Sequence, residues 1–492
     1  MAAERDLNGE VRRIAGETLL RSMGGDLELP VRQAIQRMDE PLRVAIAGRT
    51  KAGKSTLLNA LVGERLAATD AGECTRIVTW YRRAPGYSVS ARLTAGQERE
   101  LAFRRAEGVL DIDLGGLDWR EVERIEVGWP SERLAPMTLI DTPGLSSADD
   151  EVSARTGRAL LDDDLAGPGR ADAVIYLMRH LHRHDAQFLE AFVDRSLAHA
   201  SPINSIVVLS RADEIGAGRP DALDSARSVA ARYAGDRRIR ELAPSVLPVA
   251  GLIAETGATL RESQFAALRE LAALDDDARD RLLRSVDRFR DPERNPLTPE
   301  LRQELLDRLG LFGVRTAVAA VASGRAATAT ALSRTLLELS GIGDLQRTLA
   351  HQFSGRAAVL KARSALAALR GVVGELRRRA APGSLELETD LERLESGSRE
   401  LAELRLLHLV MAGLVDVTPE ERLEIERLAG SGSARERLGA DAGAPLPAVR
   451  RVAIEGIERW RRRAANPLAD RQVIEAAEII IRAYERLHAE AV

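Results

Sequence analysis

Lysine is nearly missing from this chain. Lys51, Lys54 and Lys361 are the only ones, and every other residue among the 71 basic side chains is arginine. Cysteine occurs once, as Cys74, which excludes an internal disulfide framework and a cysteine-based zinc site. Aromatic residues make up 3% of the chain, too few for a base-stacking platform. A net charge of −4 gives no general pull toward nucleic acid, so no nucleic-acid partner is expected. No stretch approaches the ~20 apolar residues of a spanning helix. The charged start, Glu4-Arg5-Asp6, has no apolar run behind it of the kind a signal peptide carries. The expectation is a cytoplasmic protein whose membrane contact is peripheral, on the inner face of the plasma membrane.

A chain of 492 residues is too long for one core, so two or three domains are expected. Residues 1–40 read as one or two helices, with Pro30 suited to a first helical position and Val31, Ile35 and Met38 at helical spacing. Short apolar runs at 42–47, 138–140, 174–178, 206–209 and 246–249 read as strands, the later ones separated by helical patterns. That arrangement predicts an α/β P-loop GTPase domain with a mostly parallel sheet over 41–255. From 256 onward nearly every signal is helical, with breaks at 292–299, 381–383, 430–443 and 466–467. Residues 256–492 therefore read as an elongated all-α helical bundle, and residues 1–40 as helices belonging to it.

The octet GRTKAGKS at 48–55 is a complete phosphate loop, Gly48-x-x-x-x-Gly53-Lys54-Ser55, between a predicted strand and a predicted helix. Gly48, Thr50, Ala52 and Gly53 shape the loop whose N–H groups close on phosphate oxygens. Lys54 reaches the β and γ phosphates, Ser55 ligates Mg²⁺, and Thr56 follows at the helix start. An apolar strand then ends in DTPG at 141–144. Asp141 is placed to hold Mg²⁺ through water, and Gly144 lets its N–H approach a γ-phosphate. After the run at 206–209 comes Ser210-Arg211-Ala212-Asp213, a variant of the guanine-reading [NT]KxD element. Its carboxylate accepts from N1–H and the exocyclic amine of guanine, which adenine cannot offer. The Arg211 stem and guanidinium plane can lie over the base as a lysine stem does. At the last strand, Ala250 and Gly251 sit where backbone N–H groups would meet guanine O6. The metal-covering threonine is placed at Thr75, with Thr79 as the fallback. The nucleotide is GTP or GDP with Mg²⁺. Three histidines, His180, His182 and His184, follow a predicted strand, and their spacing reads more readily as a solvated basic loop than as a metal site.

Ser55 and Asp141 are 86 positions apart, long enough for an inserted β-rich segment around 81–130. Leu145, not a water-orienting glutamine, follows DTPG. With the helical region behind the G domain, this motif set resembles the dynamin superfamily of large GTPases. The stretches TKAGKST (50–56), CTRIVTW (74–80) and SRADEIGAGR (210–219) are similar to the actinobacterial isoniazid-inducible members, as are LFGV (311–314) and WRRRAANP (460–467). The resemblance implies a GTPase that self-associates across the G domain, pairs with a sister dynamin-like protein and associates with membranes. It also implies a connection with envelope stress and drug tolerance.

In that superfamily the residue before the [AST]-Gly-Lys-Ser core matters for hydrolysis, as a serine that helps bind a cation or an arginine finger in cis. Here it is Lys51, a positive charge held by the phosphate loop itself. The resemblance further implies a trunk whose far tip lies near 374–388. There Arg377, Arg378 and Arg379 precede a Pro-Gly turn, and they read equally as an anionic-headgroup site or as a solvated helix end. Two functional readings stay open: GTP hydrolysis coupled to assembly and membrane association or remodelling, and a nucleotide-gated partner with slow hydrolysis. A phosphate-loop ATPase is a third.

Overall fold

A computed structural model describes residues 6–67, 76–106, 109–144, 171–180, 202–430, 432–441 and 443–490. Eleven strands occur among them: β1 (Leu42–Gly48), β2 (Val78–Arg83), β3 (Ser88–Leu93), β4 (Glu98–Glu100), β5 (Ala102–Ala106), β6 (Val109–Asp113), β7 (Val122–Trp129), β8 (Met137–Asp141), β9 (Ala173–Met178), β10 (Ser205–Ser210) and β11 (Val246–Val249). Nine of them form one sheet in the order β11-β10-β9-β1-β8-β2-β7-β3-β4. From β11 to β8 every pairing is parallel, and β2 then joins β8 antiparallel. β1, β9 and β10 are buried along their whole length, which is why they read as unbroken apolar runs rather than alternating ones. The β-rich segment expected around 81–130 extends the sheet on the β2 side and adds the separate β5-β6 hairpin.

In this sheet β1 runs between β8 and β9, so the loop leaving its C-terminal end opens at the crevice where strand connections diverge. Ligands of open α/β sheets bind at such a switch point. The phosphate loop leaves β1 there, and the helix Lys54–Val62 starts directly behind it.

After β11 the described chain is helical. The helices Leu7–Ser22 and Glu28–Asp39 bury Leu7, Val11, Ile14, Val31 and Met38 against Leu366, Leu369 and Val373 of the helix Ala357–Arg378. The residues before the sheet thus pack on the helical region that follows it. Lys361 sits at that junction and donates to the carbonyls of Met38 and Glu40, 2.8 and 2.9 Å away, at the end of Glu28–Asp39. A cation there satisfies carbonyls left open at a helix C-terminus. The buried Glu424 carboxylate of the helix Pro419–Leu428 accepts from Trp460 Nε1 at 2.8 Å and from the Tyr484 hydroxyl, one on each helix of the last pair, Leu446–Ala464 and Arg471–Glu490. Among the described residues no helix is long and apolar enough to cross a membrane.

Candidate functional site: a phosphate loop facing a buried carboxylate

Gly48 closes β1 with its α-carbon against the carbonyl of Leu177; a Cβ there would lie 2.5 Å from that oxygen. Gly53 precedes the helix at φ 94, a conformation natural only to glycine. Between them Lys51 also has positive φ, 61°, the strained form a phosphate loop adopts to turn its N–H groups inward. Lys54 points back under the loop, and its ammonium donates to the carbonyls of Gly48 and Arg49, both at 3.3 Å. Burial pushes its pKa down, and the charge of Asp141 opposes that. It stands ready to exchange weak carbonyl contacts for phosphate oxygens.

Register places Asp141 beside Ile46 on the neighbouring parallel strand, at the same end of the sheet as the phosphate loop. Thr142 ties that end to β1 through its hydroxyl, which donates to the Ile46 carbonyl at 2.9 Å. The Ser55 hydroxyl donates to Asp141 Oδ2 at 2.9 Å. Asp141 Oδ1 is buried and has no hydrogen-bond partner among the described residues. Burial drives the Asp141 pKa up, against the pull of Lys54 and the hydrogen bonds from Ser55 and Thr142. A buried carboxylate with an open oxygen beside a serine hydroxyl is a donor set that fits a hard divalent cation, whose remaining ligands come from water and phosphate. Gly144 lies against Thr50, whose Oγ1 and Cα would be 2.6 and 2.7 Å from any Cβ. The glycine of DTPG therefore rests on the phosphate loop.

On the other side of the loop, Gly53, Thr56, Asp213, Glu214, Gly251 and Leu252 line one cavity with Arg211. Asp213 is 6% exposed, and its pKa is pushed up to about 6 by burial, with Glu214 adding to the rise. An ionised carboxylate in that setting favours a ligand that brings hydrogen-bond donors, as guanine does. Arg211, at φ 54, sends Nη2 to the carbonyl of Lys51 at 3.0 Å and Nη1 to Glu214 at 2.7 Å. Arg211 thus holds the strained residue of the phosphate loop, a contact that motif spacing does not disclose.

Not every expected residue falls where the sequence put it. The N–H of Ala250 is used by the carbonyl of Ser340 at 2.9 Å, and Ala250 is fully buried. It is not free to meet guanine O6; Gly251 and Leu252 are the cavity residues on that side. Thr75, Cys74 and Leu145 lie outside the described residues, as do His182 and His184. Thr79 is a buried strand residue paired with Asp141 across β2 and β8. Lys51 is exposed, and its ammonium has no ion-pair partner among the described residues. Arg377, Arg378 and Arg379 lie far along the chain, at the end of Ala357–Arg378. Arg377 pairs with Glu388 at 2.8 Å, Arg378 with Glu375, and Arg379 with Asp26 at 2.7 Å.

The family model described as "50S ribosome-binding GTPase" matches residues 43–211. Over 469 residues the chain is 39% identical to the isoniazid-induced protein IniC of Mycobacterium tuberculosis, covering 95% of this chain and 94% of that one. It is 35% identical over 133 residues to isoniazid-induced protein IniA of the same organism, covering 25% of this chain and 20% of that one. It is also 31% identical over 119 residues to a bacterial dynamin-like protein of Nostoc punctiforme, covering 22% and 17%. One solved structure, described as an oligomerised bacterial dynamin pair that senses and tethers membranes, aligns over 98% of this chain and 74% of its own at TM-score 0.35 and 13% identity.

Proposed function

Because the chain belongs to the bacterial dynamin-like GTPases of the IniC type, we propose that it hydrolyses GTP to GDP and phosphate with Mg²⁺ and couples that turnover to self-assembly and peripheral membrane association. The observation that carries the chemistry is the Ser55–Asp141 contact beside the open Asp141 Oδ1. With Mg²⁺ bound, the ion would draw charge from the phosphate oxygens. Lys54 holds the phosphates, Ser55 and Asp141 hold the ion, and the phosphate loop closes around them. Lys51 supplies a second positive charge at the loop. That no described residue pairs with its ammonium supports this role, because no described carboxylate holds the side chain away from the γ-phosphate. Thr75 is proposed to cover the metal. Asp213 reads the base, with Arg211 and Gly251 completing that side.

The membrane part of the proposal rests on the end of the helical region where residues 20–29 meet residues 377–386. Arg379 pairs with Asp26 there, and Gly383 abuts Arg21. Leu20, Met23 and Leu385 are 70%, 61% and 63% exposed at this end, beside Arg377 and Arg378. Apolar side chains next to arginines suit an anionic bilayer surface. On this reading the protein is cytoplasmic, works on the inner face of the plasma membrane, and serves in envelope stress and drug tolerance.

A second reading is favoured by one observation: each arginine of the 377–379 cluster is already met by a carboxylate, which lowers the net charge offered to lipid. On that reading the chain is the nucleotide-gated partner of a sister dynamin-like protein, with slow hydrolysis. Sedimentation with anionic liposomes, with and without GTP, separates the two. Binding that depends on GTP, alongside lipid-stimulated turnover, supports the first. No sedimentation in either state removes the membrane claim. Tighter binding of ATP than of GTP would overturn the base assignment.

A further inference from the structure

Two stretches that stood out in the sequence, SRADEIGAGR at 210–219 and LFGV at 311–314, meet in space. The long helix Pro299–Ala322 is broken at Gly310, where φ is 63° and ψ 171°, a region essentially restricted to glycine. A Cβ at Gly310 would lie 3.9 Å from Asp213 Oδ2. Two residues on, Phe312 packs against Gly218, the last residue of the turn that carries Asp213. Arg315, five residues on, donates to the Gly218 carbonyl at 2.9 Å and to the carbonyls of Leu283 and Arg284 at 2.6 and 3.1 Å. On the other base-side element, Thr256 donates its hydroxyl to the Arg308 carbonyl at 2.6 Å.

The turn being held has reason to need support. Arg211 and Ala217 both carry positive φ without being glycine, at 54° and 61°. Such backbone is strained and persists only where its surroundings hold it. The surroundings here are the broken helix. Arginine suits the task because one planar fork can meet several carbonyls at once.

We infer that Gly310 and Arg315 are positioning residues for base recognition: the break in Pro299–Ala322 and the Arg315 clamp hold the Asp213 carboxylate where guanine is read, so the helical region completes the base site. This rests on the reading of Asp213 as the guanine acceptor.

The test measures GDP and ADP affinities for the full chain, by competition with a fluorescent nucleotide. Wild type is compared with Arg315→Ala, Gly310→Ala and Asp213→Asn. ADP reports the phosphate loop without the base carboxylate. Asp213→Asn lowers the GDP-over-ADP preference by about tenfold or more, the worth of hydrogen bonds to a charged group. Arg315→Ala lowers that preference by at least about threefold while ADP affinity stays within about twofold; Gly310→Ala, where it folds, does the same. If GDP and ADP affinities fall together in Arg315→Ala, or neither falls, while Asp213→Asn loses its preference, the positioning role is overturned and the base reading stands. If Asp213→Asn keeps the GDP preference, the base reading fails, and with it this inference.

Discussion

Replacing Asp213 by asparagine should stabilise the nucleotide-free protein at neutral pH, even though it damages the site. Asp213 is a buried acid whose pKa rises from 3.8 to about 6, chiefly through burial. A carboxylate with a raised folded-state pKa contributes stability while it is neutral, below its unfolded pKa, and that stability is lost as pH rises through the folded value. With those two pKa values the ionised side chain costs the folded state on the order of 1–2 kcal/mol at pH 5 and about 3 kcal/mol at pH 7.5. Asparagine has the same shape and no charge to desolvate. The stability difference between Asp213→Asn and wild type should therefore widen by about 1 kcal/mol between pH 5 and pH 7.5. At ~2–4 °C per kcal/mol for a cooperative unit of 150–250 residues, that is a relative shift in Tm of roughly 2–4 °C. The assay is thermal unfolding of both proteins without nucleotide across that pH range, followed by addition of saturating GDP. GDP supplies donors to the ionised carboxylate, so it should stabilise wild type more than the variant at pH 7.5. Unfolding curves of the two proteins that stay parallel from pH 5 to 7.5 would refute the argument, because a solvated Asp213 has no charge penalty to relieve.

Lys51→Ala is expected to cut GTP turnover while GTP binding persists; equal single-turnover rates in wild type and variant would sink the role given to Lys51. Gly144→Ala forces a Cβ to within 2.6–2.9 Å of Thr50, so turnover should fall by more than nucleotide affinity does, a split that kcat and Kd measured together will reveal. Asp141→Asn keeps the shape but removes charge beside Ser55, and the Mg²⁺ concentration for half-maximal turnover should rise about tenfold or more; an unchanged Mg²⁺ curve would count against this carboxylate. Gly456→Ala puts a Cβ 2.5–2.8 Å from the ring of Tyr484 and should destabilise the last helix pair by about 1–3 kcal/mol or more, measured by urea unfolding.

Much of the site was legible because a phosphate loop is a local device. Gly48, Gly53, Lys54 and Ser55 lie within eight residues, and each is required by backbone conformation or charge at short range. Asp141 and Asp213 could be placed because one ends and the other follows a buried strand, whose apolar runs mark where a parallel sheet delivers its C-terminal ends. Ala250 could not be placed correctly, because what uses its N–H is the carbonyl of Ser340, 90 positions away in a different helix connection. Nor could the partners of Arg377–Arg379 be read. Asp26 reaches Arg379 from the opposite end of the chain, and only the packing of the first helices against Ala357–Arg378 brings it there.

The sequence by itself determined the phosphate-loop motif, the sheet that carries it and the change to helix after β11, since glycine placement, burial runs and helical periodicity are local properties. Tertiary structure alone decided which groups are free. Among the described residues it left the Lys51 ammonium without an ion-pair partner and Asp141 with an open oxygen, and it engaged the Ala250 N–H and the three arginines. It also set a helix break at Gly310 against Asp213. The physical reason is that a hydrogen bond or an ion pair is decided by distances of a few ångströms. Residues tens to hundreds of positions apart reach such distances only when distant elements pack.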